Sequence, residues 1–178
     1  EKKYSLIPDI RYLYAVSLNK LGKQEKEKKN YLTILFDKRA SSQVRKKVVS
    51  GLKEMNDDLV SFLTKEELSY SVNLLPIKEQ RLIANKKIFS NSESYSNEQV
   101  VKNLTIFFLN TTGFNVLPFL KTNSSVLKKE ETFLASIAED LINKKEFGSA
   151  LELQNLYLKN SIVPLVQKNY SRIYRKYK

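Results

Sequence analysis

Residues 134–157, LASIAEDLINKKEFGSALELQNLY, constrain the fold of this chain more than any other stretch. Leu134, Ile137, Ala138 and Leu141 recur at helical spacing. The pattern breaks at Lys145-Glu146-Phe147-Gly148, and Ala150, Leu153, Leu156 and Tyr157 resume it. Apolar residues three and four apart share one helix face, so the stretch predicts two short amphipathic helices joined by a tight polar turn. The alanines fall where such helices would cross, which lets their axes approach closely.

The rest of the chain points the same way. Only 4 Gly and 4 Pro punctuate 178 residues, too few for a many-stranded β fold. Apolar residues recur along nearly the whole length, which argues against disorder. The expected fold class is all-α: stacked antiparallel helical hairpins forming an irregular solenoid or a compact helical bundle. One domain, 1–178, is expected, with the polar run 90–97, SNSESYSN, as an exposed loop or hinge.

Helix boundaries can be placed along the chain. Pro8-Asp9 starts a helix that carries Ile10, Leu13, Tyr14, Val16, Leu18 and Leu21 to Gly22. A second helix carries Tyr31, Leu32, Ile34 and Leu35 to about Asp37. Ser41-Ser42 caps a segment whose Val44, Val48, Leu52, Met55, Leu59 and Phe62 form one stripe. Gly51 inside it costs about 1 kcal/mol relative to alanine, so it marks close packing. Thr64 to Glu67 forms a capping box, and Pro76 ends or kinks the helix it opens. Residues 77–89 read as helical. Ser96 with Gln99 gives a second capping box before Val100, Val101, Leu104, Phe107 and Phe108. Residues 114–120 read as an apolar connector around Pro118, and Ser124-Ser125 as the cap of the helix that enters 134–157. Last comes a helix with Ser161 as its cap and Pro164 in its first turn, with Tyr170, Tyr174 and Tyr177 on one face and Lys168, Arg172, Arg175 and Lys176 on the other. Eight to ten helices are expected.

Several kinds of chemistry are excluded. Cys and His are both absent, which removes disulfides, thiolate catalysis, Cys-based metal sites and His-based acid–base or triad chemistry. The longest apolar run, 104–109, is too short to span a bilayer. Asp57-Asp58, Glu66-Glu67, Glu130-Glu131 and Glu139-Asp140 are adjacent carboxylates, and neighbours on a helix diverge by about 100°. No phosphate loop, dinucleotide fingerprint or nucleophile elbow occurs. The expectation is a non-enzymatic protein with no cofactor, metal or small-molecule substrate.

The stretch 134–157 resembles a tetratricopeptide repeat, a 34-residue helix–turn–helix unit with large, small and aromatic residues at set positions. Leu134 takes the first large position, Ile137-Ala138 the large–small pair, Leu141 the next core position, Phe147 the turn aromatic, and Ala150 the small position of the second helix. Gln154 departs where an aromatic is usual, and Tyr157 where a small residue is usual. A weaker match places Tyr14-Ala15 at the large–small pair, Leu18 at the core position, Leu21-Gly22 at the turn and Tyr31 at the aromatic, with Glu27 departing at the small position. The matches lie 123 residues apart, not a multiple of 34, so irregular hairpins are expected rather than a regular array. The resemblance implies a protein–protein interaction scaffold that takes a partner helix or extended peptide in a groove between hairpins. It places binding on the inner faces of the first helices, at Asn19, Glu139, Asn143 and Lys144.

The net charge of +12 is concentrated at the ends. Residues 1–50 hold 13 basic and 5 acidic side chains, residues 161–178 hold 5 and none, and the middle balances 13 against 14. Such ends could attract an acidic protein, an anionic membrane surface or nucleic acid. Basic residues are 25 Lys against 6 Arg, whereas phosphate and base recognition favours Arg forks, so nucleic acid is the alternative reading rather than the first. Its candidates are Tyr170, Arg172, Tyr174 and Arg175, interleaved on the last helix. Composition rich in Lys, Asn and Ser and free of Cys is similar to that of envelope lipoproteins of AT-rich spirochaetes such as Borrelia. That likeness implies an envelope location, periplasmic or membrane-anchored, rather than a cytoplasmic one. The chain begins at Glu1 rather than Met, so a signal peptide or lipidated Cys removed ahead of it is part of the expectation.

Overall fold

The computed structural model describes residues 7–176, and every regular element among them is helical. The fold is all-α, with twelve α-helices among the described residues rather than eight to ten. They cluster into two compact units divided between Ile88 and Phe89, where the sequence is read as one domain. Tyr177, expected on the last helix's aromatic face, lies outside the described residues.

The first unit holds α1 (Ile7–Lys20), α2 (Gln24–Phe36), α3 (Ser42–Met55), α4 (Leu59–Phe62), α5 (Lys65–Ser71), a single 3₁₀ turn (Val72–Leu74) and α6 (Ile77–Asn85). Helix α2 lies at its centre and packs on α1, α3 and α5. Local side chains set the boundaries. Ser41 Oγ accepts from the Val44 amide, and the Thr64 capping box forms in full. The stripe from Val44 to Phe62 does not make one helix. Asn56 Oδ1 accepts from the Asp58 amide, and Asp58 in turn caps α4 through the Ser61 amide, so two short polar side chains outcompete helix continuation. Nor does the helix after Pro76 reach Phe89: α6 stops at Asn85, and Lys87 turns the chain at φ 51°.

Gly51 is a point of close approach. A Cβ built there would lie 2.7 Å from Tyr31 Cζ and 2.7 Å from its hydroxyl. The buried Tyr31 ring stacks on Tyr12 with centroids 6.0 Å apart.

The second unit begins with the loop 90–97, followed by α7 (Glu98–Asn110), α8 (Val116–Thr122), α9 (Ser124–Leu127), α10 (Glu131–Asn143), α11 (Phe147–Tyr157) and α12 (Pro164–Lys176). Helix α10 is its centre and packs on α7, α11 and α12. The loop is tied down: buried Asn123 accepts from the Tyr95 amide at 2.7 Å and donates to the Glu93 and Phe119 carbonyls at 2.9 and 3.0 Å. Asn97, not Ser96, caps α7, taking both the Gln99 and Val100 amides. The expected connector 114–120 is mostly helical. Pro118 is the third residue of α8, where no intrahelical donor is required, and Asn115 caps it. Ser124 and Ser125 belong to the separate turn α9, and α10 begins only at Glu131. Phe107, Phe108 and Phe119 fill the core beside Phe114, with ring centroids 5.0–5.6 Å apart.

Candidate functional site

The two stretches aligned 123 residues apart fold into hairpins with the same turn. Gly22 N–H donates to the Asn19 carbonyl and Lys23 N–H to Leu18, and Lys145 and Glu146 repeat this with Ile142 and Leu141. Each is a Schellman closure whose left-handed residue is Gly22 (φ 68°) in one and Lys145 (φ 65°) in the other. Ala15 and Ala138 are fully buried at equivalent places, as are Leu18 and Leu141.

The aromatic position of the second helix meets the third helix in each unit, filled by Tyr31 in the first and by the departing Gln154 in the second. Tyr31 presses its ring on Gly51 of α3, and Gln154 donates from Nε2 to the Val166 carbonyl of α12 at 3.0 Å. Asn169 of α12 answers by donating to the Ala135 carbonyl at 2.9 Å. At the small position, Glu27 stays buried because Asn19 donates to both its carboxylate oxygens at 3.1 Å. Burial first, then the Glu27 charge, pushes the Tyr31 hydroxyl far above the usual tyrosine range.

One surface of the first unit stands out. Ile10, Leu13 and Tyr14 on α1 and Leu21 just past its end form a single stripe, opposite buried Ala15, and are 61, 64, 55 and 65 % exposed. All four had been counted with Leu18 as one helical apolar pattern, but α1 is apolar on two sides and only Leu18 of that set is buried. At the equivalent register of α10, Ile137 is 2 % exposed. Helix α7 also packs on α10, beyond the two partners that α1 and α10 share in kind.

The second unit carries a groove of ≈ 480 Å³ between the end of α10, the start of α11 and the end of α12. Ile142, Asn143, Lys145, Phe147, Arg172, Arg175 and Lys176 line it. Arg172 donates to Asn143 Oδ1 at 2.8 Å and reaches Glu139 at 3.4 Å, and Lys168 holds the same Glu139 oxygen at 2.9 Å. Lys176 Nζ stands 6.0 Å from the Phe147 ring centroid.

The expected binding residues are therefore distributed as follows. Glu139, Asn143 and Arg172 come together, and Arg175 joins Arg172 and Asn143 in the groove. Asn19 is engaged with Glu27 in the first unit. The Lys144 ammonium caps the end of α7, donating to the Leu109 carbonyl and lying 3.4 Å from Asn110 Oδ1. Tyr170 stacks on Tyr174 with centroids 6.0 Å apart and donates to Asn155 Oδ1, while Tyr174 stays 57 % exposed. Sequence reasoning missed Ile142, Lys145, Phe147 and Lys176 as groove residues. Their signal was the turn itself, which brings a cation and an aromatic against the end of the last helix.

The adjacent carboxylates serve structure. Asp58 and Glu67 cap helices, Glu130 pairs with Lys102, Glu131 accepts from Ser161 at 2.6 Å, and Glu139 holds Lys168 and Arg172. Hydrogen bonds from Ser61 hold the Asp58 carboxyl below its usual range. Among the described residues no group of three metal-ligating side chains gathers, and no helix is long and apolar enough to cross a membrane.

No family model, curated protein or solved structure matches the chain.

Proposed function

We propose that the chain is a non-enzymatic protein–protein interaction module, a tetratricopeptide-like helical scaffold whose α1 stripe receives an amphipathic helix of a partner protein. The observation that carries this is the outward row Ile10, Leu13, Tyr14 and Leu21. Contiguous exposed apolar surface marks association sites, and a large aliphatic side chain moved from water into a packed interface contributes about 1.5–3 kcal/mol before association costs. A helical occupant is favoured because the stripe has helical pitch and because the register-equivalent Ile137 sits buried on a helix that α7 also covers. The Lys/Asn/Ser-rich composition supports a place in an envelope-associated bacterial lipoprotein assembly.

The test uses the whole chain as bait in its source cell. Wild type should retain a stoichiometric protein partner, I10E/L13E should lose it with an unchanged circular dichroism spectrum, and I162E should keep it, Ile162 being 92 % exposed and off the stripe. Absence of a stoichiometric partner, or equal retention by I10E/L13E, would overturn the proposal.

A nucleic-acid reading draws on Tyr174 beside Arg175 and Lys176. It is weaker because Glu139 already pairs two of the cations on α12, Lys168 and Arg172. It predicts duplex binding that falls steeply with salt, and no binding at low salt removes it.

A further inference from the structure

We propose that the groove between the α10–α11 turn and α12 is a second docking site, which takes an acidic segment of a partner protein. This rests on the interaction-module reading but on a different surface from the α1 stripe.

Charge complementarity carries the choice of occupant. Lys145, Arg172, Arg175 and Lys176 line the groove and no carboxylate does. Among the described residues the Lys145 ammonium and Arg175 guanidinium meet no ion-pair partner, whereas Arg172 is already aimed by Asn143 and Glu139. An Arg fork held by second groups loses less freedom when it receives a carboxylate, and two neighbouring Arg residues favour planar, bidentate acceptors. The floor is apolar. Phe147 and buried Ile142 sit below the cations, so an aliphatic side chain between two acidic ones has a place to rest.

The backbone adds a separate observation. Lys145 occupies the left-handed region at φ 65°, where the equivalent turn of the first unit uses Gly22. A side chain with a Cβ is strained there, so glycine would serve the fold better. Lys145 thus places a cation on the groove's lining at a cost that glycine would not incur.

A protein segment suits the groove better than a polynucleotide. The unpaired charge is confined to one groove of ≈ 480 Å³, room for a few side chains. A nucleic acid needs cations repeating along many phosphates, and one turn back along α12 the next cation, Lys168, is already paired with Glu139.

The experiment is a fluorescence-anisotropy titration of the full chain with a labelled nine-residue peptide of Glu and Asp around a central Leu, run beside a labelled single-stranded oligonucleotide of equal charge. The peptide should bind more tightly than the oligonucleotide. K145G and R175A should each weaken peptide binding by roughly tenfold, the loss of one charge-assisted contact. K145G should at the same time unfold at equal or higher denaturant, which separates lost binding from lost fold. The proposal is overturned by no peptide binding, by equal binding to K145G and R175A, or by tighter oligonucleotide binding through the same residues. I10E/L13E should bind the peptide as wild type does. Failure of the groove with partner capture intact, and loss of capture with the groove intact, are therefore distinct results.

Discussion

Replacing Gly51 with alanine should destabilise the first unit, against the usual rule for a glycine inside a helix. Intrinsic propensity alone favours alanine there by about 1 kcal/mol. The new Cβ, however, would stand 2.7 Å from Tyr31 Cζ and 2.8 Å from Cε2, well inside van der Waals contact. Tyr31 has little room to retreat. Its ring is buried and stacked on Tyr12. Overpacking of this kind costs about 1–3 kcal/mol, so the expected net loss is up to about 2 kcal/mol. Urea unfolding of wild type and G51A measures it directly. The cause is isolated by repeating the substitution in a Y31L background, where the ring is gone and alanine should stabilise by up to about 1 kcal/mol. A G51A variant at least as stable as wild type, or the same loss with and without the Tyr31 ring, would refute the reasoning.

Two further perturbations probe other parts of the account. N123A should release the loop 90–97 by removing the acceptor of the Tyr95 amide and the donor to the Glu93 carbonyl. The expected cost is about 2–3 kcal/mol, with loss of hydrogen-exchange protection at Tyr95, and unchanged protection there would contradict it. Asp37 is held at about 2 by the side-chain hydrogen bonds of Arg39, at 2.9 and 2.7 Å. Because its folded pKa lies below the unfolded value, its stabilisation is complete above about pH 4 and fades as pH falls toward 2. Arg39 is half exposed, so solvent reduces the contribution to on the order of 1 kcal/mol. D37N should be less stable than wild type at pH 7 and nearly equal at pH 2, and an equal difference at both would contradict the assignment.

Features decided within a few residues were legible in the sequence. The Thr64 capping box, the Ser41 cap, both hairpin turns and the tight packing at Gly51 depend on neighbours in the chain or on one unusual residue. Boundaries with competing candidates were not. Asn97 displaced Ser96 because its longer side chain takes two amides, and Pro118 looked like a breaker although it sits in the first turn of α8. The division between Ile88 and Phe89 falls just ahead of the polar run 90–97, the candidate hinge of the sequence. The surfaces were harder still. Which side of α1 faces inward depends on what packs against it, so a helix apolar on two sides conceals its exposed stripe in the list of core residues. The groove joins residues 142–147 to residues 172–176, a juxtaposition that only the third helix of the unit creates.

Photo-crosslinking along α1 in the source cell tests the central claim most directly. A crosslinking residue placed singly at positions 10, 13, 14 and 21 samples the outward stripe, and one at position 162 samples exposed surface elsewhere. The account predicts one common partner protein captured at all four stripe positions and not at 162. Capture that ignores the helical pitch, or no capture on the stripe, would contradict it.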